Sequence, residues 1–195
     1  MAVYDHDTLR ALVRPDRVHR DFYVSPEVFE LEMERIFGRA WLIVGHDSQV
    51  PDPGDYVTLT VAGQPAIMSR GGDGRVHLLF NRCSHRGAQI CTERSGNAKR
   101  FECPYHGWVY GLDGGLLATP FWDGTANSNQ CPVDPRSASL VPVRSGVWNH
   151  IVFINLSGSA PSLETYLAEM QEDLVQLDLD SMEVVHSESW FFDAN

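Results

Sequence analysis

The chain has 195 residues, of which 43% are apolar and 21% charged, with a formal net charge of −11. That length holds one domain and part of another, and the composition gives no reason for extensive disorder. The acidic excess disfavours a nucleic-acid partner, because such binding rests on Lys and Arg neutralising phosphates.

No apolar run approaches the roughly 18–20 residues of a membrane helix, so no membrane span is expected. The N-terminus also lacks the basic, apolar and small-residue order of a secretory signal, which makes the cytoplasm the expected compartment. Ser25-Pro26-Glu27 combines an N-cap residue, a proline at the first helical position and an acid suited to the helix dipole. A helix is therefore expected at about 26–37, with Phe29, Met33, Ile36 and Phe37 as its apolar stripe and Gly38 as a left-handed exit.

From Trp41 onward the period becomes that of strands. Trp41–Val44, Tyr56–Val61, Pro65–Met68 and Val76–Phe80 are short and rich in β-branched or aromatic residues. Turns at 51–55, 63–64, 71–74 and 113–115 separate them with the rhythm of a small antiparallel sandwich or barrel. Val141–Val143 and Val147–Asn155 close the series. After the Ser/Gly/Pro stretch at 157–161, Leu163, Tyr166, Leu167, Met170 and Leu174 restore a helical period, and Glu183–Phe192 is strand-like.

Two stretches carry chemistry. Cys83-Ser84-His85-Arg86-Gly87 is answered some twenty residues later by Cys103-Pro104-Tyr105-His106-Gly107-Trp108. In a reducing compartment, cysteine spaced with histidine points to metal rather than to a disulfide, so Cys83 and Cys103 read as thiolate ligands. One intervening residue between Cys83 and His85 is a poor fit to zinc, whose ligands within a loop are usually two to four apart. A dinuclear iron–sulfur centre explains two thiolates and two imidazoles better, one iron taking both cysteines and the other both histidines. Zinc stays open as the competing reading. Gly87 and Gly107 allow close backbone approach, and Pro104 stiffens the second loop. Cys91 and Cys131 read as small buried hydrophobes. His46, His77, His150 and His186 belong to no ligand motif and read as structural. Trp108 and Tyr110 read as core aromatics, with a tyrosine hydroxyl reaching a ligand sulfur as the minor alternative.

These loops, with Glu34–His46, Pro53–Tyr56 and Trp108-Val109-Tyr110, resemble successive blocks of the Rieske family over about residues 20–155. The closer likeness is to the large (alpha) subunits of aromatic-ring-hydroxylating dioxygenases. The resemblance implies a mainly β chain in which a Rieske [2Fe–2S] antiparallel sandwich or barrel interrupts an incomplete α+β catalytic domain. Residues 1–38 would be its N-terminal helical segment, 39–158 the Rieske domain and 159–195 the start of a truncated catalytic domain. Cys83, His85, Cys103 and His106 would be the metal and cluster ligands, with no catalytic residue in this stretch. A mononuclear non-haem iron is expected only in a full-length chain.

Partners implied are a ferredoxin or an NAD(P)H-dependent reductase, and a homotrimer or alpha/beta hetero-oligomer when full length. The respiratory branch of the family has a cysteine pair and a serine where Ala88, Tyr105 and Trp108 stand here. Loss of that hydroxyl donor implies a potential toward the low end of the Rieske range, nearer about −150 than +300 mV. The excess of Arg82, Arg86, Arg94, Lys99 and Arg100 over Glu93 between residues 82 and 100 suggests steering of an acidic donor. The alternative reading is a stand-alone Rieske ferredoxin-like carrier.

Overall fold

Residues 4–120, 134–174, 177–188 and 190 are described by the computed structural model. An N-terminal helical arm comes first: α1 (His6–Ala11), a small hairpin of β1 (Val13–Arg14) and β2 (Arg17–Val18), α2 (Asp21–Val24) and α3 (Pro26–Glu32). The Ser25 side chain accepts from the Val28 N–H as the N-cap residue it was expected to be. α3 then widens into a π-turn over Met33–Phe37. Gly38 differs from expectation, because it is right-handed with φ −74°. Space favours glycine there instead, since a Cβ would stand in tight contact, 3.0 Å from the Met33 carbonyl oxygen that the widened turn brings close. The expected stripe is largely exposed, with Ile36 at 52%, while Val28 is the buried residue of α3.

The strands follow as β3 (Trp41–His46), β4 (Asp55–Val61), β5 (Gln64–Arg70), β6 (Val76–Phe80), β7 (Ser95–Asn97), β8 (Phe101–Glu102), β9 (Val109–Tyr110) and β10 (Leu116–Ala118). A short helix α4 (Pro135–Ala138) precedes β11 (Arg144–Trp148), β12 (Ile151–Asn155) and α5 (Leu163–Leu174). All pairings are antiparallel, in sheets ordered β6-β5-β4-β7, β11-β12-β3 and β10-β9-β8.

The continuous apolar run in β5 shows how these sheets stack. Neighbouring side chains on a strand point to opposite faces, so a strand buried on both sides serves two cores. Ile67, with Leu79, joins Phe101, Trp108, Tyr110 and Leu140 in a core beneath the two Cys/His loops. Met68, with Leu78, joins Val50, Val143, Val152 and Ile154 in a second core shared with the β11-β12-β3 sheet. The four-stranded sheet is thus the middle layer, and the ligand loops stand on one of its faces. α5 covers the far side of β3 and β12 through Leu163 and Leu167 against Trp41 and Phe153.

Two further expectations need correction. The run at 147–155 is not one strand but a hairpin that reverses at Asn149 and His150, both at positive φ (46° and 64°). No glycine marks this turn, although Asn tolerates the left-handed region. Residues 183–188 form no strand. The rest of the expected strand reaching Phe192 lies outside the described residues apart from Trp190, as does Cys131.

Candidate metal centre

Both Cys/His loops are connections between strands, the first from β6 to β7 and the second from β8 to β9. They close with the same hydrogen bonds. Gly87 N–H donates to the Cys83 carbonyl at 2.8 Å, and Gly107 N–H to the Cys103 carbonyl at 2.9 Å. Cys83 N–H donates to Ala88 O, and Cys103 N–H to Trp108 O, both at 2.8 Å. The glycine stands four residues after the cysteine in each case and adopts φ of +75° at Gly87 and +67° at Gly107, a region costly for other L-residues. Conformation, more than space, is therefore what glycine provides at Gly87, where an added Cβ would meet nothing nearer than 3.7 Å. The backbones match although the histidines sit two and three residues after their cysteines.

The loops bring His85 against His106, and Cys83 beside Cys103. Cys83 and Cys103 are buried and make no disulfide, as is also true of Cys91. His85 and His106 meet edge to face with ring centroids 4.7 Å apart. Trp108 lies flat on His85, at 4.8 Å and an interplanar angle of 5°, so the indole fixes the plane of that imidazole. Tyr105, exposed on the outside, lies over His106 with centroids 3.7 Å apart.

Sulfur electrostatics are set from beneath. The Tyr110 hydroxyl lies 3.1 Å from Cys83 Sγ, and Tyr110 is fully buried. Burial first, and then the bond to Cys83, hold this hydroxyl protonated far above its ordinary range. It must therefore be the donor once the sulfur is a thiolate. Burial raises the Cys83 thiol as well, and the hydroxyl opposes that rise. Without a cation beside it a buried thiolate is disfavoured, so a thiolate at Cys83 calls for positive charge next to it.

The imidazoles point the same way. Burial, followed by the neighbouring His106 and Arg86, lowers the His85 pKa and favours the neutral ring. Its Nδ1 is buried with no hydrogen-bond partner within the protein, so its lone pair is available to a metal. Among the described residues, no three His, Cys, Asp or Glu side chains are grouped around one ion-sized point. Two thiols and two imidazoles on paired loops are a donor set that suits a dinuclear iron–sulfur core.

With the geometry in place, the comparison with known proteins is direct. A family described as Rieske [2Fe-2S] domain matches residues 40–132. This chain carries a Rieske [2Fe–2S] domain. Its relatives include the chlorobenzene dioxygenase alpha subunit of Cupriavidus sp. (strain PS12), 38% identical over 156 residues, which are 80% of this chain and 34% of the relative. The chain thus spans about a third of that relative's length. Among solved structures, naphthalene 1,2-dioxygenase from Rhodococcus sp. superposes with a TM-score of 0.77 at 33% identity, covering 88% of this chain and 40% of that one. A quaternary ammonium Rieske monooxygenase gives 0.73 at 33% identity over 86% of this chain and 46% of that one. The Rieske domain found here is therefore akin to those of oxygenase large subunits.

Around the Rieske loops, one residue has a role that its sequence context did not disclose. Asn81 is buried, and its side chain accepts from Ile90 N–H (3.0 Å) and Cys91 N–H (2.9 Å) and donates to Cys91 O (2.7 Å). It staples the start of the first loop to its end. A polar residue directly after the apolar strand β6, with no turn residue beside it, was the available signal. Burial raises the Cys91 thiol to about 11, in keeping with a packing role. His46 and His150 flank Asp47, with His150 Nδ1 3.0 Å from its carboxylate, and His77 Nε2 lies 3.1 Å from Asp73. These three interact with scaffold carboxylates, and exposed His186 pairs with Glu188.

Proposed function

We propose that Cys83, His85, Cys103 and His106 hold a [2Fe–2S] cluster, thiolates on one iron and imidazoles on the other. We further propose that the chain is the electron-transfer portion of a ring-hydroxylating dioxygenase alpha subunit. The observation that carries this reading is the pair of like-folded loops that carry two buried sulfurs and a buried imidazole nitrogen with no partner within the protein. When bound, such a cluster supplies reversible one-electron transfer at a potential set by its ligands and the hydrogen bonds to sulfur.

The chain's own residues do the rest. Tyr110 donates to the Cys83 sulfur, and Trp108 holds the His85 ring in one plane. Leu79, Leu140 and Phe101 keep water from the sulfur side. His85 and His106, half-buried, bring the imidazole edge toward the surface, where an electron can leave. In this reading a ferredoxin or NAD(P)H-dependent reductase supplies the electrons. They pass to a mononuclear iron in the part of the longer relatives that these residues do not match. Residues 1–38 and 159–195 then flank the 39–158 Rieske domain as parts of the catalytic domain.

Assembly as a trimer, with or without small beta subunits, and residence in the cytoplasm belong to the same proposal. Among the described residues no helix is long and apolar enough to cross a membrane. The helices at both ends favour an oxygenase subunit over a stand-alone carrier, which has no use for them. Iron and acid-labile sulfide analysis of Cys103→Ala tests the ligand set. The variant is expected to lose both, and one that retained a full complement would contradict the assignment.

A further inference from the structure

We propose that the cavity between β6 and β11 is a binding site for a small organic carboxylate. This site goes beyond the Rieske reading and does not depend on it, since none of the four cluster-loop cysteines and histidines lines the cavity.

The cavity exists because two strands part. Phe80 N–H donates to Val141 O at 2.9 Å and Val143 N–H to Leu78 O at 2.8 Å, which holds β6 to the segment leading into β11. Beyond Leu78 those bonds stop, because β6 goes on pairing with β5 while β11 pairs with β12. The gap between them has a volume of about 490 Å³, within the range usual for sites that hold a small molecule. Val76 and Val147 supply apolar wall, and Val147 is 47% exposed.

Its polar lining carries an excess of positive charge. The largely buried Arg70 guanidinium donates to three neutral carbonyls, Val50 O at 2.8 Å, Gly74 O at 3.0 Å and Asp47 O at 3.0 Å. Those bonds fix the group without cancelling its charge. Among the described residues Asp47 is the one carboxylate lining the cavity, and it is already shared between His150 Nδ1 at 3.0 Å and Arg70 Nη2 at 3.6 Å. Arg75, exposed on the turn before β6, has no ion pair and no side-chain hydrogen bond among the described residues, and neither has the Ser145 hydroxyl on β11. His77 is held by Asp73, 3.1 Å from its Nε2, and Asp73 lines the neighbouring cleft instead. In a chain with a formal net charge of −11, two guanidinium groups facing one neutralised carboxylate favour an anion. A guanidinium matches a carboxylate in shape as well as in charge, and the valine walls favour one that carries an apolar body.

Amide-resolved NMR titration of the intact, cluster-loaded chain tests this, with cyclohexanecarboxylate as the probe and cyclohexanecarboxamide as its neutral isostere. The carboxylate should move the Val76, Ser145 and Val147 backbone signals with a Kd of about 1 mM or tighter. The carboxamide should bind about tenfold more weakly or not at all. Arg75→Gln and Val147→Asp should each weaken the carboxylate about fivefold or more, while the remote Arg17→Gln stays within about twofold of the parent. The proposal is overturned if those signals stay in place, if carboxylate and carboxamide bind alike, or if both cavity variants bind like the parent. Sulfate binding as tightly as the carboxylate would make the cavity a site for any anion and overturn it too, as would a response to acidic peptides alone, which would make it a protein contact. Should either variant lose the native spectrum, the other decides with the isostere pair, which needs no substitution.

Discussion

A buried sulfur next to a buried phenol is a strong constraint on any redox centre. Tyr110→Phe removes one hydrogen bond to Cys83 and leaves the ring packing intact. That bond matters most when the centre is reduced and more negative, so its loss should lower the midpoint potential. A net hydrogen bond of about 0.5–1.5 kcal/mol corresponds to about 20–60 mV for one electron. Spectroelectrochemical titration of both proteins checks this, and an unchanged or higher potential would show that the hydroxyl serves packing alone. Cys91 offers a separate test by pH. Burial raises its folded-state pKa from an ordinary 9.0 to about 11, so its contribution is intact below pH 9 and is lost as pH rises toward 11. Urea midpoints should therefore fall less between those values in Cys91→Ala than in the parent, by about 2–3 kcal/mol of stability at most.

Among the elements, the two loops show how one backbone solution can serve two spacings. Each is closed by a glycine at positive φ four residues after its cysteine. Gly107→Ala should cost about 1–2 kcal/mol from the left-handed conformation alone. Asn81 has the larger effect because three backbone groups depend on it. Asn81→Ala should lower unfolding stability by about 3 kcal/mol and speed cluster loss, measured by denaturant titration and by the decay of visible absorption. A change under about 0.5 kcal/mol would mean that those groups find other partners. Long strands and both loops were legible in the sequence, since turn residues bracketed them. The reversal at Asn149-His150 was hidden by the lack of glycine, and Gly38 was misread because helix ends usually use glycine for φ rather than for clearance. The proposed ligands themselves were picked out by spacing. Their shared loop closure could not, because it depends on hydrogen bonds that no residue pattern spells out.

For the whole molecule, layering explains why a redox site sits here. β5 and β6 lie between two cores, one under the loops and one shared with the β11-β12-β3 sheet, so the loops rest on a support packed from both sides. Rigid placement of this kind limits the reorganisation that follows a change of charge at the centre. The scaffold depends on the ligand loops less than the loops depend on it. Removing the metal should thus loosen residues 83–107 and leave β3, β11 and β12 protected, an outcome that hydrogen exchange of the two forms can read. Uniform loss of protection would instead mean that the metal organises the whole domain. The central claim, that four side chains hold paired irons bridged by sulfide, is tested most directly by anaerobic reconstitution followed by iron, zinc and acid-labile sulfide analysis and pulsed EPR of the reduced sample. The account predicts a coloured protein with about two irons and two sulfides per chain and nitrogen couplings from two imidazoles. A colourless protein holding one zinc and no sulfide would contradict it.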